Sequence, residues 1–163
     1  MAMESSQLSQ QLGEALLSRN WMLVCAESCT GGGIAAAVTD IAGSSQWFDR
    51  GFVTYSNQAK REVLGVAGAT LENHGAVSEQ TVQEMVEGAL SRSDAQVAVA
   101  VSGIAGPGGG TDEKPTGTVC LAWQVEGQEP VVCTEHFGGN RASVREQTIL
   151  SALQGLMNVV GQS

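Results

Sequence analysis

The residues of this chain best suited to chemistry are a serine and the glycines that follow it. Ser28 comes after a short apolar segment at residues 23–26 and shortly before the glycines at 31–33. Glycines let the backbone approach a ligand closely, and unpaired N–H groups at a helix start can hold a developing oxyanion. This context favours a nucleophilic serine in a strand-to-helix turn. The alternative is a serine that only caps a helix, although Thr30 is the better candidate for that cap.

A nucleophilic serine needs a base, and the sequence offers a lysine and two histidines. Lys60 follows Tyr55 by five residues across a predicted strand-to-helix junction, so both side chains can face one crevice. A lysine accepts a proton only where burial or nearby positive charge lowers its pKa. His74 and His136 fall outside the strand ends that carry the other candidates. Lys60 is therefore the predicted base and Tyr55 a proton relay or orienting group, with a solvated surface lysine as the alternative.

A pair of arginines suggests where an anion binds. The chain has only 8 lysines and arginines, against 17 aspartates and glutamates. Arg141 and Arg145 nevertheless lie four apart at the start of the predicted last helix, on one face. A helix dipole favours acids in a first turn, so two arginines there indicate an anion site such as a phosphate site. Ordinary surface arginines beside Glu146 are an equally good interpretation.

No cofactor or metal motif is present in the sequence. The glycine-rich segment 104–116 is neither a Walker A loop nor G-x-G-x-x-G, because position 111 is threonine. We interpret it as a flexible loop that lines the substrate. The cysteines form no C-x-x-C pair, which favours buried reduced thiols over a zinc site; they are Cys25, Cys29, Cys120 and Cys133.

Composition and charge exclude several classes of function. The net charge of −9 disfavours binding to nucleic acid, since an acidic surface repels phosphate backbones. The chain shows no signal peptide and no apolar run close to the roughly 20 residues that span a bilayer. The sequence therefore predicts a soluble cytoplasmic protein without nucleic-acid or membrane partners.

Hydrophobic periodicity predicts an α/β protein, with helices and strands that alternate along most of the chain. Five strands are predicted, at residues 23–26, 52–55, 96–101, 118–125 and 131–137. Five helices are predicted, and they lie at residues 6–19, before and up to Val38, around Lys60, after Ser78, and at residues 142–160. This order indicates a single domain over residues 1–163, a three-layer αβα sandwich. Its sheet is expected to be mixed and mostly parallel, with about five strands.

Three unusual segments fall at the ends of predicted strands. They are residues 27–33, 55–60 and 102–110. Ligands of α/β sheets bind beyond the carboxyl ends of the strands, where loops enter helices. The coincidence predicts one site built from all three segments.

Several longer motifs resemble those of a known family. The motifs lie at residues 26–32, 43–45, 51–57, 74–78 and 102–107. In this order, and over nearly the whole chain, they closely resemble the CinA C-terminal family. The resemblance implies an αβα fold similar to anticodon-binding domains, and a homo-oligomer. It also implies hydrolysis of the carboxamide of nicotinamide mononucleotide to nicotinate mononucleotide and ammonia, in pyridine-nucleotide salvage, without a cofactor or metal.

The resemblance also implies roles for individual residues. Ser28 matches the family nucleophile, and Tyr55 and Lys60 match its catalytic partners. Backbone N–H groups around the serine are expected to hold the oxyanion, and these belong to Thr30, Gly31 and Gly32. The residues expected to bind substrate are Ser45, Ser102, Gly103, Arg141 and Arg145, with phosphate recognition by the two arginines as our inference. The alternative function is a non-catalytic nucleotide-binding or competence- and damage-related interaction module.

Overall fold

Five strands form one continuous sheet at the centre of the protein. The computed structural model describes residues 4–163. The strands are β1 (Leu23–Glu27), β2 (Phe48–Val53), β3 (Val97–Gly103), β4 (Thr118–Val125) and β5 (Val131–His136). Their order across the sheet is β2-β1-β3-β4-β5.

The strand directions confirm the predicted mixed, mostly parallel sheet. β1 is parallel to both β2 and β3, whereas β4 is antiparallel to both β3 and β5. Four of the five strands therefore point the same way, and β4 runs in the opposite direction. The carboxyl ends of these four strands share one edge of the sheet, which we call the carboxyl edge.

Helices cover both faces of the sheet, which confirms the three-layer prediction. They are α1 (Ser5–Arg19), α2 (Gly33–Thr39), α3 (Asn57–Leu64), α4 (Gly68–His74), α5 (Glu79–Ser91) and α6 (Arg141–Gly161). Helices α1, α2 and α6 cover one face, and α3, α4 and α5 cover the other. Within residues 4–163, no helix combines the length and the apolar character needed to cross a bilayer.

Alternation along β3 divides the core between these two faces. Val97, Val99 and Val101 pack in the cluster under α1, α2 and α6, whereas Ala98 and Ala100 pack in the cluster under α5. Because alanine side chains are small, α5 can approach the sheet closely. The core is built in this way mainly from aliphatic side chains.

Two elements differ from the sequence prediction. Helix α4 lies where the apolar pattern predicts no helix, because none of its side chains is buried. Strand β2 begins at Phe48 rather than at residue 52, and it ends at Val53 rather than at Tyr55. As an edge strand β2 pairs with β1, so it tolerates polar residues such as Asp49 and Arg50 that obscure the strand pattern.

A glycine sets the distance between α5 and α3, the helix that carries Lys60. A Cβ added to Gly88 would lie 2.9 Å from the carbonyl carbon of Leu64, and closer still to its oxygen. Only a residue without a side chain permits this approach, although glycine inside a helix is intrinsically unfavourable. Gly88 therefore fixes where α3 presents Lys60.

We predict that Gly88→Ala destabilises the protein, against the usual trend for alanine in a helix. Overpacking typically costs about 1–3 kcal/mol, and the backbone of Leu64 cannot move aside without moving α3. Gly161→Ala is the matched control, because nothing lies within 4 Å of a Cβ at that position in α6. Thermal unfolding followed by circular dichroism should give a lower Tm for Gly88→Ala only. Equal Tm values for the two variants would contradict this account of the α3–α5 contact.

Candidate active site

Three turns meet at the carboxyl edge, where β1, β2 and β3 end side by side. The N–H of Ser28 donates to the Val101 carbonyl at 3.1 Å. The N–H of Thr54 donates to the Glu27 carbonyl at 2.9 Å. These bonds extend the strand pairing by one residue beyond each strand. The three segments singled out in the sequence are thereby held together.

Ser28 and Lys60 form a buried pair. Lys60 Nζ lies 3.0 Å from Ser28 Oγ. Lys60 is 1% exposed and Ser28 is 7% exposed. The start of α3 is fixed by its N-cap Ser56, whose hydroxyl accepts a hydrogen bond from the Ala59 N–H at 3.0 Å. Lys60 belongs to the next turn of the same helix, so the cap directs it toward the carboxyl edge.

Two backbone carbonyls accept hydrogen bonds from the Lys60 amine and so orient it toward Ser28. Nζ lies 3.0 Å from the Thr54 oxygen and 3.1 Å from the Tyr55 oxygen. A neutral amine donates its two N–H groups to these carbonyls, and its lone pair then faces the Ser28 hydroxyl. A charged amine donates its third N–H to Ser28 Oγ, and the hydroxyl then donates to the Tyr55 oxygen, 3.4 Å away. The hydrogen bonds therefore accommodate both protonation states of Lys60 beside an intact Ser28 hydroxyl.

Burial lowers the pKa of Lys60 from its ordinary value of 10.5, because the charged amine loses its hydration. A Cys29 thiolate would oppose this effect. Burial, however, raises the pKa of Cys29 to about 11, so that this side chain is a neutral thiol near pH 7. Within residues 4–163, no carboxylate forms a salt bridge with Lys60. The surroundings of Lys60 thus favour the neutral amine that a base requires.

Glu27 anchors the serine turn (residues 28–32), a role that sequence reasoning missed. Its carboxylate is buried and accepts hydrogen bonds from the N–H groups of Ile34 at 2.8 Å and Ala35 at 3.0 Å. The Thr30 hydroxyl donates to the same carboxylate. The prediction that Thr30 caps α2 is therefore wrong, because Glu27 satisfies the helix start instead. An acidic residue shortly before a helix can bind the N–H groups at the helix start, and this was the available signal. It was missed because the sequence pattern assigns Glu27 to the end of a strand.

The serine turn presents backbone donors that no protein group uses. Gly31 and Gly32 have φ angles of 59° and 101°, in the left-handed region that glycine adopts without strain. The Gly31 N–H donates to the Ser28 carbonyl at 3.0 Å. Within the described residues, the N–H groups of Thr30 and Gly32 have no acceptor. Of the three predicted oxyanion donors, these two have no acceptor among residues 4–163; Gly32 is half-buried, whereas Thr30 is fully buried.

Tyr55 contacts the buried pair through its backbone rather than through its ring. Its carbonyl accepts from Lys60, as described above, whereas its side chain is 60% exposed. The phenol oxygen accepts a hydrogen bond from Arg141 Nη2 at 3.2 Å. This places the hydroxyl at the rim of the site, facing α6. A relay of the Ser28 proton through the phenol would require the ring to move.

Both arginines of the predicted anion site reach the loops around Ser28. Arg141 Nη1 donates to the Gly106 carbonyl at 2.8 Å, in the loop that follows β3. Arg145 Nε donates to the Cys29 carbonyl at 3.2 Å, and its Nη2 donates to the Thr30 carbonyl at 3.0 Å. The first turns of α6 are therefore part of the site. Each guanidinium therefore donates two hydrogen bonds to protein atoms.

Ser102 and Gly103 lie where the sequence predicts them, at the end of β3. Glu27 pairs with Val101, so Ser28 and Ser102 are neighbours across β1 and β3. Ser102 is buried, and a Cβ on Gly103 would lie 2.6 Å from Val119 Cγ2. The end of β3 thus forms a closely packed wall beside Ser28.

Ser45 is a predicted substrate-binding residue that lies far from Ser28 and Lys60. It lies in the 3₁₀ turn Ser44–Gln46, which leads into the start of β2. The start of β2 is at the opposite end of the sheet from Ser28, since β1 and β2 are parallel. Ser45 is exposed there. Its role in substrate binding stays a prediction.

The histidines line a cavity that does not include Ser28 or Lys60. This cavity has a volume of about 500 Å³ and is lined by residues that include His74, Ser78, Lys114 and His136. His136 Nδ1 lies 3.3 Å from Thr118 Oγ1. Neither histidine hydrogen-bonds to Ser28 within residues 4–163, so Lys60 is the basic group beside this serine.

Cysteines and acidic residues form no metal centre in the part of the chain that the structure describes. Within residues 4–163, no group of three or more His, Cys, Asp or Glu side chains is placed to hold a metal ion. All four cysteines are free thiols, of which three are buried and Cys133 is half-buried.

The protein combines a three-layer α/β fold with a buried serine–lysine pair at its carboxyl edge, and such a pair has the chemistry to serve as nucleophile and base. Sequence comparison identifies the family. The sequence model of the CinA C-terminal domain matches residues 5–160, and the chain belongs to this family.

Relatives of known name share most of their length with this chain. A nicotinamide-nucleotide amidohydrolase PncC of Enterobacter agglomerans is 55% identical, over 91% of this chain and 90% of the relative. The PncC of Escherichia coli K12 is 54% identical, over 94% of this chain and 93% of the relative. Among solved structures, the competence/damage inducible protein CihA of Agrobacterium tumefaciens superposes with a TM-score of 0.94 at 45% identity. That superposition covers 98% of this chain and 99% of the other.

We predict that Lys60 makes the free energy of unfolding depend on pH. Its pKa is lower in the folded protein than in the unfolded chain, so the unfolded chain binds more protons between these two values. Relative to Lys60→Met, the wild type should therefore gain stability as the pH rises through this window. The gain is at most about 1.36 kcal/mol per pH unit. Urea unfolding of both proteins from pH 6 to 10.5 measures it, and a difference that stays constant or falls would contradict the lowered pKa.

Proposed function

We propose that this protein hydrolyses the carboxamide of nicotinamide mononucleotide, releasing nicotinate mononucleotide and ammonia in pyridine-nucleotide salvage. The observation that carries the proposal is the buried contact of 3.0 Å between Ser28 Oγ and Lys60 Nζ. Hydrolysis of an unstrained amide needs an activated nucleophile, and this pair supplies one. The substrate class follows from the name of the relatives in Enterobacter agglomerans and Escherichia coli.

The first half of the reaction transfers the acyl group to the enzyme. Neutral Lys60 takes the proton from Ser28 Oγ as this oxygen attacks the carboxamide carbon. The tetrahedral intermediate carries a negative oxygen, and the amine nitrogen of the former amide leaves as ammonia after it receives the proton from Lys60. The carbon–nitrogen bond is broken, and an ester to Ser28 remains.

The second half of the reaction restores the serine. Lys60 is neutral again after ammonia has formed, so it can take a proton from water as the water attacks the ester. The intermediate collapses, the proton returns to Ser28 Oγ, and the product leaves as a carboxylic acid that gives its remaining proton to solvent. All proton transfers between the enzyme and the reacting groups run through Lys60.

The serine turn supplies the donors for the negative oxygen in both halves. The N–H groups of Thr30 and Gly32 are our candidates among the unused donors of this turn, which also include the N–H of Cys29, and Gly31 gives the turn its shape. Such donors are most effective when they are already fixed before the reaction begins. The removal of one donor typically lowers kcat by about 10²–10³-fold.

The start of α6 is our candidate for contact with the substrate phosphate. Arg141 is exposed, and it bridges the Tyr55 hydroxyl and the Gly106 carbonyl at the rim of the site. Two of its five N–H donors are engaged in this way, which leaves three for an anion. Ser102 and Gly103, at the end of β3, are our candidates for the wall beside the carboxamide.

We also retain the broader predictions made from the sequence. The protein is proposed to act in the cytoplasm as a homo-oligomer, without nucleic-acid or membrane partners. Val53 and Tyr55 are large exposed side chains on the edge of the sheet nearest the site, which supports an interface there. Ser45, at the opposite end of the sheet, is exposed and free to face a neighbouring copy.

We predict that the purified protein releases ammonia from nicotinamide mononucleotide, and that Ser28→Ala abolishes this release without unfolding the protein. A coupled assay for ammonia measures the first effect, and circular dichroism checks the fold. Ser18→Ala, exposed on α1, is the matched control and should retain full activity. Near-normal turnover by Ser28→Ala would remove Ser28 as the nucleophile. Tight binding of the nucleotide with no ammonia released by the wild type would favour the non-catalytic binding module.

We predict that the phosphate contributes strongly to substrate recognition. Loss of a hydrogen bond to a charged group costs about 1.5–3 kcal/mol, so Arg141→Gln should raise KM for nicotinamide mononucleotide about 10-fold or more. The same variant should leave the rate with nicotinamide riboside, which lacks the phosphate, nearly unchanged. Steady-state kinetics with both substrates, and with free nicotinamide, measure the difference. Equal kcat/KM values of the wild type for the three compounds would contradict phosphate recognition.

A further inference from the structure

The Arg145 guanidinium is hydrogen-bonded to the backbone of the serine turn. Its Nε and Nη2 donate to the carbonyls of Cys29 and Thr30, two consecutive peptide groups of this turn. Arg145 is half-buried, and within residues 4–163 no carboxylate lies within 4 Å of it. An arginine without an acidic partner, bound to two backbone oxygens, adds positive charge directly behind the turn.

Packing fixes the position of this guanidinium. Ile149 lies four residues after Arg145, on the same face of α6. A Cβ added to Gly33 would lie 2.7 Å from Ile149 Cδ1, so α6 and the start of α2 are in close contact. The end of the serine turn and the helix that carries Arg145 therefore hold a fixed register.

Peptide geometry connects these carbonyls to the opposite side of the turn. In a planar trans peptide group, the C=O and the N–H point in opposite directions. When Arg145 binds the Cys29 carbonyl, it directs the N–H of Thr30 away from the guanidinium. That N–H is one of three in the turn without an acceptor among the described residues, the others belonging to Cys29 and Gly32.

The other ligand of the turn acts from a different direction. Glu27 accepts from the N–H groups of Ile34 and Ala35, and so fixes the start of α2. Arg145 fixes the carbonyls that come before it. With both ends bound, the Thr30 N–H is held before a ligand arrives.

We propose that Arg145 is a positioning residue that orients and polarises the Thr30 peptide group, whose N–H stabilises the oxyanion of the tetrahedral intermediate. The proposal rests on the proposed amide hydrolysis. It differs from the phosphate contact that the sequence suggests for Arg145, because the bonds in the structure run to the backbone of the serine turn.

Two physical effects make this arrangement favour the transition state over bound substrate. A charge-assisted hydrogen bond to a carbonyl polarises its peptide group, which strengthens the N–H as a donor. The positive charge of Arg145 also attracts the negative oxygen, which exists only after the serine has attacked, and it opposes the repulsion from the buried Glu27 carboxylate at the same turn. The uncharged carboxamide of the substrate gains little from either effect, so kcat should respond more than KM.

Steady-state kinetics of Arg145→Gln with two substrates tests this role. We expect kcat to fall about 10²-fold with nicotinamide mononucleotide, at the lower end of the loss for an oxyanion donor. The fall should be equally large with nicotinamide riboside, and KM should change less than threefold for either substrate. Arg19→Gln, at the far end of α1, is the control for the loss of one arginine and should match the wild type.

Two kinetic outcomes would overturn the proposal. A loss confined to nicotinamide mononucleotide, expressed in KM, would make Arg145 a phosphate ligand. Unchanged kcat with both substrates would show that the turn needs no support from Arg145. Thermal unfolding of the variant separates a general loss of folded protein from a change in the site.

An NMR readout is independent of the substrate. In the uncomplexed protein, Arg145→Gln should shift the amide resonances of Thr30 and Gly31, whose peptide carbonyls the arginine binds, and leave those of β5 in place. Unmoved Thr30 and Gly31 resonances would overturn the proposal even if no substrate had been found. If these resonances shift but the wild type releases no ammonia, the proposed reaction fails while the link between Arg145 and the turn holds.

Discussion

The structure of the site depends on the burial of one amine. Lys60 is almost completely excluded from solvent and has no acidic partner in the described part of the chain, so its charged form is disfavoured. Burial of a lysine is costly, and the fold limits this cost by offering the Thr54 and Tyr55 carbonyls as acceptors. The close approach at Gly88 holds α3 in place, so the amine stays beside Ser28. The same burial that costs stability lowers the pKa of this amine, as a base requires.

The serine turn concerns the negative charge that the proposed reaction creates, whereas Lys60 concerns a positive one. In the proposed reaction, Lys60 activates the nucleophile, whereas the turn binds the oxyanion that forms when the nucleophile attacks. Glu27 binds the N–H groups at the start of α2, and Arg145 binds carbonyls within the turn. Since these two side chains come from β1 and α6, the turn is held by parts of the chain that are far apart in sequence. The carboxyl edge thus brings an amine and backbone N–H groups without acceptors to the same serine.

The sequence could predict the principal pair, because parallel strands bring their carboxyl ends to the same edge of a sheet. Ser28 and Lys60 each follow such a strand, and their types suggest the chemistry. The contact of Tyr55 could not be predicted, since it is made by a carbonyl that every residue possesses. The contact between Arg145 and the serine turn could not be predicted for a similar reason, because its acceptors are backbone carbonyls. Helix α4 and edge strand β2 were missed or misplaced because neither shows a regular apolar pattern.

The central claim is that Lys60 is a neutral amine when it accepts the proton of the serine. An NMR titration of the Lys60 side chain, with its resonance assigned by comparison with Lys60→Met, tests this most directly. The account predicts a midpoint clearly below 10.5 that coincides with the pKa governing the rise of kcat/KM with pH. A midpoint at or above 10.5 would contradict the account, because the amine would then be charged throughout the range in which the enzyme works.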